Sequence, residues 1–306
     1  MSFVREVHKG VLTYYLVVEN SREDGKVRQK VLKYLKDRRA MLDYCMEQSI
    51  SPPEEKPGLI EPEECERIGK KLAELNSLRP LPPAALESLR RKFEVEMTYN
   101  SNAIEGNRLT LRETHLVLER GITIGGKSMK EHLEATNHAD ALGMIEKLAG
   151  RRREGITEKQ VLQLHAIILD KIDAQNAGKY RQEQVFITGT EHTPPKWQEV
   201  PGLMKDAIRE LNSKNGGCGA IESAAKLHHE LVWIHPFTDG NGRLARLLSN
   251  LRLMRAGFPP IILEKRTRRT YYKTLERADG GDLRPIARLF ARDEEKALDL
   301  WLSAAK

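Results

Sequence analysis

Twelve consecutive residues constrain this chain more than any other stretch: His235-Pro236-Phe237-Thr238-Asp239-Gly240-Asn241-Gly242-Arg243-Leu244-Ala245-Arg246. They place one imidazole, one carboxylate, a Gly-Asn-Gly turn and two guanidinium groups where a turn runs into a helix. Gly240 and Gly242 lack Cβ atoms, so the backbone can take unusual φ values and turn its N–H groups on an anion at close range. The positive end of the following helix points the same way, and Arg243 and Arg246, one turn apart, add donors that fork onto phosphate oxygens. Asp239 is suited to a hard cation such as Mg²⁺. His235 lies just upstream, and its ordinary pKa leaves a neutral imidazole able to accept a proton at physiological pH. Together they make a polyphosphate seat with a base beside it.

The flanking periodicities anchor this turn. From Arg243 a helix buries Leu244, Leu247, Leu248, Leu251 and Met254 and stops at Gly257-Phe258-Pro259-Pro260, a glycine-then-proline ending. Upstream, Ile221, Ala224, Ala225, Leu231 and Val232 form a buried stripe on the helix that delivers His235. Rigid support on both sides is what a catalytic constellation requires.

The block satisfies H-x-F-x-[DE]-G-N-G-R-x-x-R at every specified position and so resembles the signature of the Fic family. The resemblance covers about two-thirds of the chain and implies a mostly α fold, a Fic-type helical bundle with a small β-hairpin flap. It also implies transfer of AMP from ATP to a Ser, Thr or Tyr hydroxyl of a protein, self-modification included. In that role His235 takes the hydroxyl proton and Asp239 holds Mg²⁺. Gly240, Asn241, Gly242, Arg243 and Arg246 hold the nucleotide, with Asn241 at the α-phosphate. Relatives that act as kinases carry a bulky basic residue in place of Gly242, so the glycine favours AMP transfer. Removal of AMP from a modified protein at the same site is the alternative.

Leu86, Leu89, Phe93 and Met97 recur at helical spacing, so a helix runs towards Ser101-Asn102-Ala103-Ile104-Glu105-Gly106. The end of this helix resembles the inhibitory motif [ST]-x-x-x-E-[GN] of one class of Fic proteins, in which Glu105 pairs with Arg246 and blocks the seat of the ATP γ-phosphate. Tyr271, Tyr272 and Asp279 fall where Fic proteins contact the nucleotide base, though Asn is the commoner residue at Asp279. Val185, Phe186, Ile187 and Thr188 form a short β-prone run closed by Gly189, in the place of the family's target-aligning flap.

Elsewhere the chain divides by its punctuation. Thr13 to Val18 and Lys26 to Val31 flank Asp24-Gly25, which predicts a β-hairpin, and Val31 to Met46 reads as a helix. Residues 1–55 thus form a small N-terminal β/α module, loosely similar to the start of some transposase-like proteins. Nucleic acid is its less favoured partner, and a docking or stabilising role the favoured one. Prolines and a glycine around Ser51 to Gly58 break the chain, residues 56–84 read as a helical linker, and residues 85–306 as the main domain. Helices are expected from Thr110 to Gly121, Ser128 to Gly150 and Thr157 to Ile172, the last capped by Thr157. His132, His138 and His165 on them read as structural.

With 306 residues, 40% of them hydrophobic, the chain can bury a large core. No apolar run approaches the ~20 residues of a membrane helix, and charges in Met1 to Gly10 do not suit a signal peptide, so a cytoplasmic location is expected. The net charge of +7 comes from 51 basic residues interspersed with 44 acidic ones, a solvated surface. Cys45, Cys65 and Cys218 are far apart and read as ordinary thiols. The protein target and the oligomeric state, a homodimer among the options, are left open by the sequence.

Overall fold

Alternation with a period of two sets the first elements of the computed structural model, which describes residues 2–9, 12–23, 26–36, 38–50 and 58–306. Strands β1 (Ser2–Lys9), β2 (Leu12–Glu23) and β3 (Lys26–Leu35) form an antiparallel meander in the order β1-β2-β3. Directly paired residues share a face, so the pairs Val4↔Val17 and Tyr15↔Leu35 put four apolar side chains together. Helix α1 (Arg38–Gln48) covers them with Met41 and Cys45. The register shifts between Val17 and Val18, leaving Leu32 as the extra residue of a bulge. Two expectations change here. A third strand precedes the hairpin, and Val31 to Leu35, expected in the helix, continue β3 because pairing with β2 buries Leu35. Asp24-Gly25 lies outside the described residues.

This unit, Met1–Pro57, is separate from the second, Gly58–Lys306. The second is helical: α2 (Pro62–Ser77), α3 (Pro83–Ile104), α4 (Leu111–Arg120), α5 (Met129–Gly150), α6 (Glu158–Ile168), α7 (Val200–Leu211), α8 (Cys218–Ile234), α9 (Asn241–Arg255), α10 (Arg268–Asp279) and α11 (Arg284–Ala305). Thr110, Ser128 and Thr157 each cap a helix and receive a carboxylate or amide in return from Glu113, Glu131 and Gln160, closing three capping boxes. Helix α9 is buried continuously from Arg243 to Leu253, the pattern of a helix enclosed on every side. Against it packs α8, whose Ala220, Ala224 and Ala225 are fully buried and allow close approach. Helix α5 packs on α9, and α7 and α11 pack on α8. No helix among the described residues is long and apolar enough to cross a membrane.

Within the expected linker 56–84, the described residues from Gly58 on pack as part of the second unit. Ile68 and Leu75 of α2 lie in the main core, and Arg67 and Lys71 pair with Glu295 of α11 at 2.6 and 3.0 Å. The reading of Cys65 and Cys218 as free thiols is also overturned, for they form a disulfide between α2 and the first turn of α8. Nearby, Glu222 Oε1 accepts the N–H groups of Leu59 and Ile60 at 2.7 and 3.1 Å. Only Cys45 is a free, buried thiol.

Candidate active site

The turn between α8 and α9 is held from every direction. At the end of α8 the last carbonyls have no intrahelical donors, and side chains supply them. His235 adopts a left-handed conformation with φ 49°, its N–H reaching Leu231 O at 3.1 Å. His192 Nε2 donates to Trp233 O at 2.8 Å, and Arg181 donates to Ile234 O and His235 O. At the start of α9, Asn241 Oδ1 accepts Phe237 N–H at 3.0 Å while its Nδ2 donates to Phe237 O at 2.8 Å. His165 stacks on Phe237 with ring centroids 3.6 Å apart. Its Nδ1 accepts the N–H of Gly178, so the proton sits on Nε2, which donates to Asp239 O at 3.0 Å. Burial lowers the pKa of His165 to about 4, the fixed neutral form this pairing needs.

His235 itself carries the chemistry expected of a base. Its Nδ1 faces the carbonyl of Val232 at 3.4 Å, so Nδ1 bears the proton and Nε2 presents a lone pair. Burial depresses its pKa, the Val232 carbonyl and Glu105 oppose this, and the charge of Arg181 adds to it. Asp239 is half exposed; Oδ1 accepts Gly240 N–H at 2.6 Å and Arg243 Nη2 at 3.2 Å, and Lys130 stands 3.8 Å from Oδ2. Burial raises its pKa, but the Arg243 charge, the Gly240 N–H and Lys130 together hold it below the usual range.

Both signature arginines are buried, at 2% and 5% exposure. Arg243 leaves Nε and Nη1 without a hydrogen bond. Arg246 donates to Ser101 Oγ at 2.9 Å, Ser101 O at 2.8 Å and Glu105 Oε1 at 2.6 Å. Glu105 follows the last turn of α3, and its carboxylate lies so close to Gly242 that an added Cβ would collide with Oε1. Ser101, Glu105 and Arg246 are therefore brought together, at the N-terminus of α9.

A cavity of about 550 Å³ opens beside Glu105, lined by Trp233, Tyr272, Arg268 and Asp279 among others. The guanidinium of Arg268 lies 5.2 Å from the centre of the Tyr272 ring. Tyr272 and Asp279 thus face one space, although His229 Nε2 already engages Asp279 Oδ1 at 2.9 Å. Tyr271 does not face this space, being 3% exposed and bonded to His228 Nε2 at 2.8 Å. The side-chain amide of Asn241 is committed to the Phe237 backbone at both its oxygen and its nitrogen. The run Val185 to Thr188 makes no strand. Arg181 and Gln184 close this loop by donating to Glu183, Pro195 and Pro194 carbonyls, so no second strand is needed. Ile187 and Thr188 reach the cavity wall, and Phe186 is 79% exposed. Arg181 and His192 are the site residues that sequence reasoning missed, because nothing local shows that their partners are carbonyls at the end of a distant helix.

Residues 155–253 match the Fic/DOC family. Proteins named protein adenylyltransferase Fic from Nematostella vectensis and Aedes aegypti are 37% and 38% identical over 80% and 78% of this chain. The match covers 57% and 48% of those proteins, so the chain spans about half the length of the curated relatives it matches. A Fic domain containing signaling protein from Bacteroides thetaiotaomicron is 30% identical with a TM-score of 0.72, covering 78% of this chain and 96% of that one. Fic-1 from C. elegans is 35% identical with a TM-score of 0.70, covering 79% and 72%. The signature block, the helical frame that holds it and these likenesses agree, and the chain belongs to the Fic/DOC family.

Proposed function

We propose that this chain transfers AMP from ATP to a Ser, Thr or Tyr hydroxyl of a protein, from a site held shut by Glu105. One observation carries the reading: the Glu105 carboxylate sits on Arg246 and against Gly242, where a helix N-terminus and two arginines otherwise offer a seat for phosphates. A carboxylate bound in that seat stands in for an anionic group of the substrate. Breaking its charge-assisted bond costs on the order of 1–3 kcal/mol, enough to leave a small active fraction.

With Glu105 displaced, Arg246 and Arg243, whose Nε has no hydrogen bond and whose Nη1 stands 3.6 Å from Glu134 Oε1, neutralise the outer phosphates. The N–H groups of the first turn of α9, which have no intrahelical acceptors, face the phosphates near the reacting centre. His235 Nε2 accepts the proton of the target hydroxyl as its oxygen bonds to the α-phosphorus. The bond to the bridging oxygen then breaks and pyrophosphate leaves. Positioning and electrostatics supply the acceleration. Among the described residues no three metal-ligating side chains cluster. Mg²⁺ at nucleotide sites needs only one or two carboxylates besides phosphates and water, and the half-exposed Asp239 suits that demand. When bound, Mg²⁺ would offset phosphate charge.

The test is incubation with candidate protein substrates and ATP labelled at the α- or the γ-phosphate. Label entering protein from the α-position only, and lost in His235→Ala, is the expected result. Label from the γ-position, or none after Glu105→Gly, overturns the proposal.

A further inference from the structure

We infer that Arg181 is a positioning residue for His235, fixing the direction of its side chain and tying that direction to the seating of the loop from Glu183 to Pro195; this rests on the transfer reading above. Arg181 is 3% exposed, and all its guanidinium hydrogen bonds go to carbonyl oxygens. Nε reaches His235 O at 2.8 Å, Nη2 reaches Ile234 O at 3.5 Å and Pro195 O at 2.5 Å, and Nη1 reaches Glu183 O at 2.9 Å. Its own backbone N–H donates to Pro236 O at 3.0 Å. One residue therefore holds three successive peptide planes, those whose carbonyls belong to Ile234, His235 and Pro236.

Holding the planes on both sides of His235 fixes its Cα–Cβ direction by tetrahedral geometry. The constraint matters because His235 sits at φ 49°, a conformation that side chains other than glycine adopt only when their surroundings enforce it. The same guanidinium takes the carbonyls of Glu183 and Pro195, the two ends of the exposed loop that carries Phe186. Any shift of that loop, as on meeting a target segment, pulls on the donor group that aims the base. A lysine could neutralise the end of α8 but could not span these directions from one nitrogen.

The experiment uses the full chain carrying Glu105→Gly, with Arg181→Lys or Arg181→Gln added. Because α9 holds the nucleotide, affinity for Mg·ATP is expected to change by less than about threefold while the transfer rate falls by roughly 30- to 100-fold, the scale of an ångström's misplacement of a reacting group. The ring protons of His235, followed by NMR, report a second quantity. Besides burial, the groups that act on the titration of this ring are the Val232 carbonyl, Arg181, Glu105 and His192. Arg181→Gln removes a positive charge from that set, so the His235 titration moves to higher pH. Unchanged transfer, a parallel fall of transfer and nucleotide affinity, or an unmoved titration in Arg181→Gln each overturns the inference. Failure of both variants to fold assigns Arg181 a purely structural role and overturns it too. Absence of α-label in Glu105→Gly with Arg181 intact counts against the transfer reading instead, and the titration still judges Arg181.

Discussion

Gly242 has no side chain, and this sets where Glu105 can rest. A Cβ there would collide with Glu105 Oε1 and stand 3.2 Å from Arg246 Nη1, so the missing side chain is what leaves room for the carboxylate. Under the proposed function, a substrate phosphate and this carboxylate compete for one guanidinium. Glu105→Gly is expected to raise self-modification at least about tenfold, corresponding to ~1.4 kcal/mol of released interaction. Arg246→Ala should stay inactive with or without it. Incorporation of α-label by the three variants decides, equal rates in wild type and Glu105→Gly counting against inhibition. Asp239 gives a second expectation at this scale. Transfer should vanish on adding a chelator, and Asp239→Asn should need roughly tenfold more Mg²⁺ for half-maximal rate. Full activity in EDTA would sink that assignment.

Among the elements, α11 contains the least comfortable group. Glu294 is fully buried, neither carboxylate oxygen has a hydrogen bond, and desolvation raises its pKa well above the usual value. The folded state keeps the proton while the unfolded chain releases it near pH 4.5, so stability is lost as pH rises above that value. Glu294→Met should therefore stabilise the protein at neutral pH by about 1–3 kcal/mol. The gain should shrink towards pH 4, and denaturant midpoints of the two proteins across that range check both claims. Elements with strong periodicity and explicit caps were legible in the sequence: α4, α5 and α6 start where Thr110, Ser128 and Thr157 predict. Those decided by partners were not. Leu35 continues a strand because Tyr15 lies opposite it, and the loop around Phe186 stays irregular because Arg181 and Gln184 close it without a ladder. At the site the residue types were readable, as was the meeting of Glu105 with Arg246. What Asn241 touches was not, since an amide serves a phosphate and a backbone equally well.

At the scale of the second unit, burial holds His138, His165 and His228 in neutral form. Burial lowers His138 and His228 to about 3 and His165 to about 4. For a depressed histidine the unfolded chain takes up its proton first, near pH 6.5, so stability present above that pH is lost as pH falls towards 4 and 3. Thermal midpoints should fall steadily below pH 6.5. His165→Gln should flatten part of the slope, and an identical slope would remove His165 from the account. The other long-range feature, the bond between Cys65 and Cys218, joins residues 153 apart in sequence, which no local pattern could announce. It makes the chain between them a covalent ring that contains α3 to α7 and the exposed loop at Phe186. A protease cutting once beside Phe186 would therefore open a ring without releasing a fragment. Nicked protein should run as a single species on a denaturing gel until a thiol is added, and then as two, while free fragments without reductant would show that the ring does not exist.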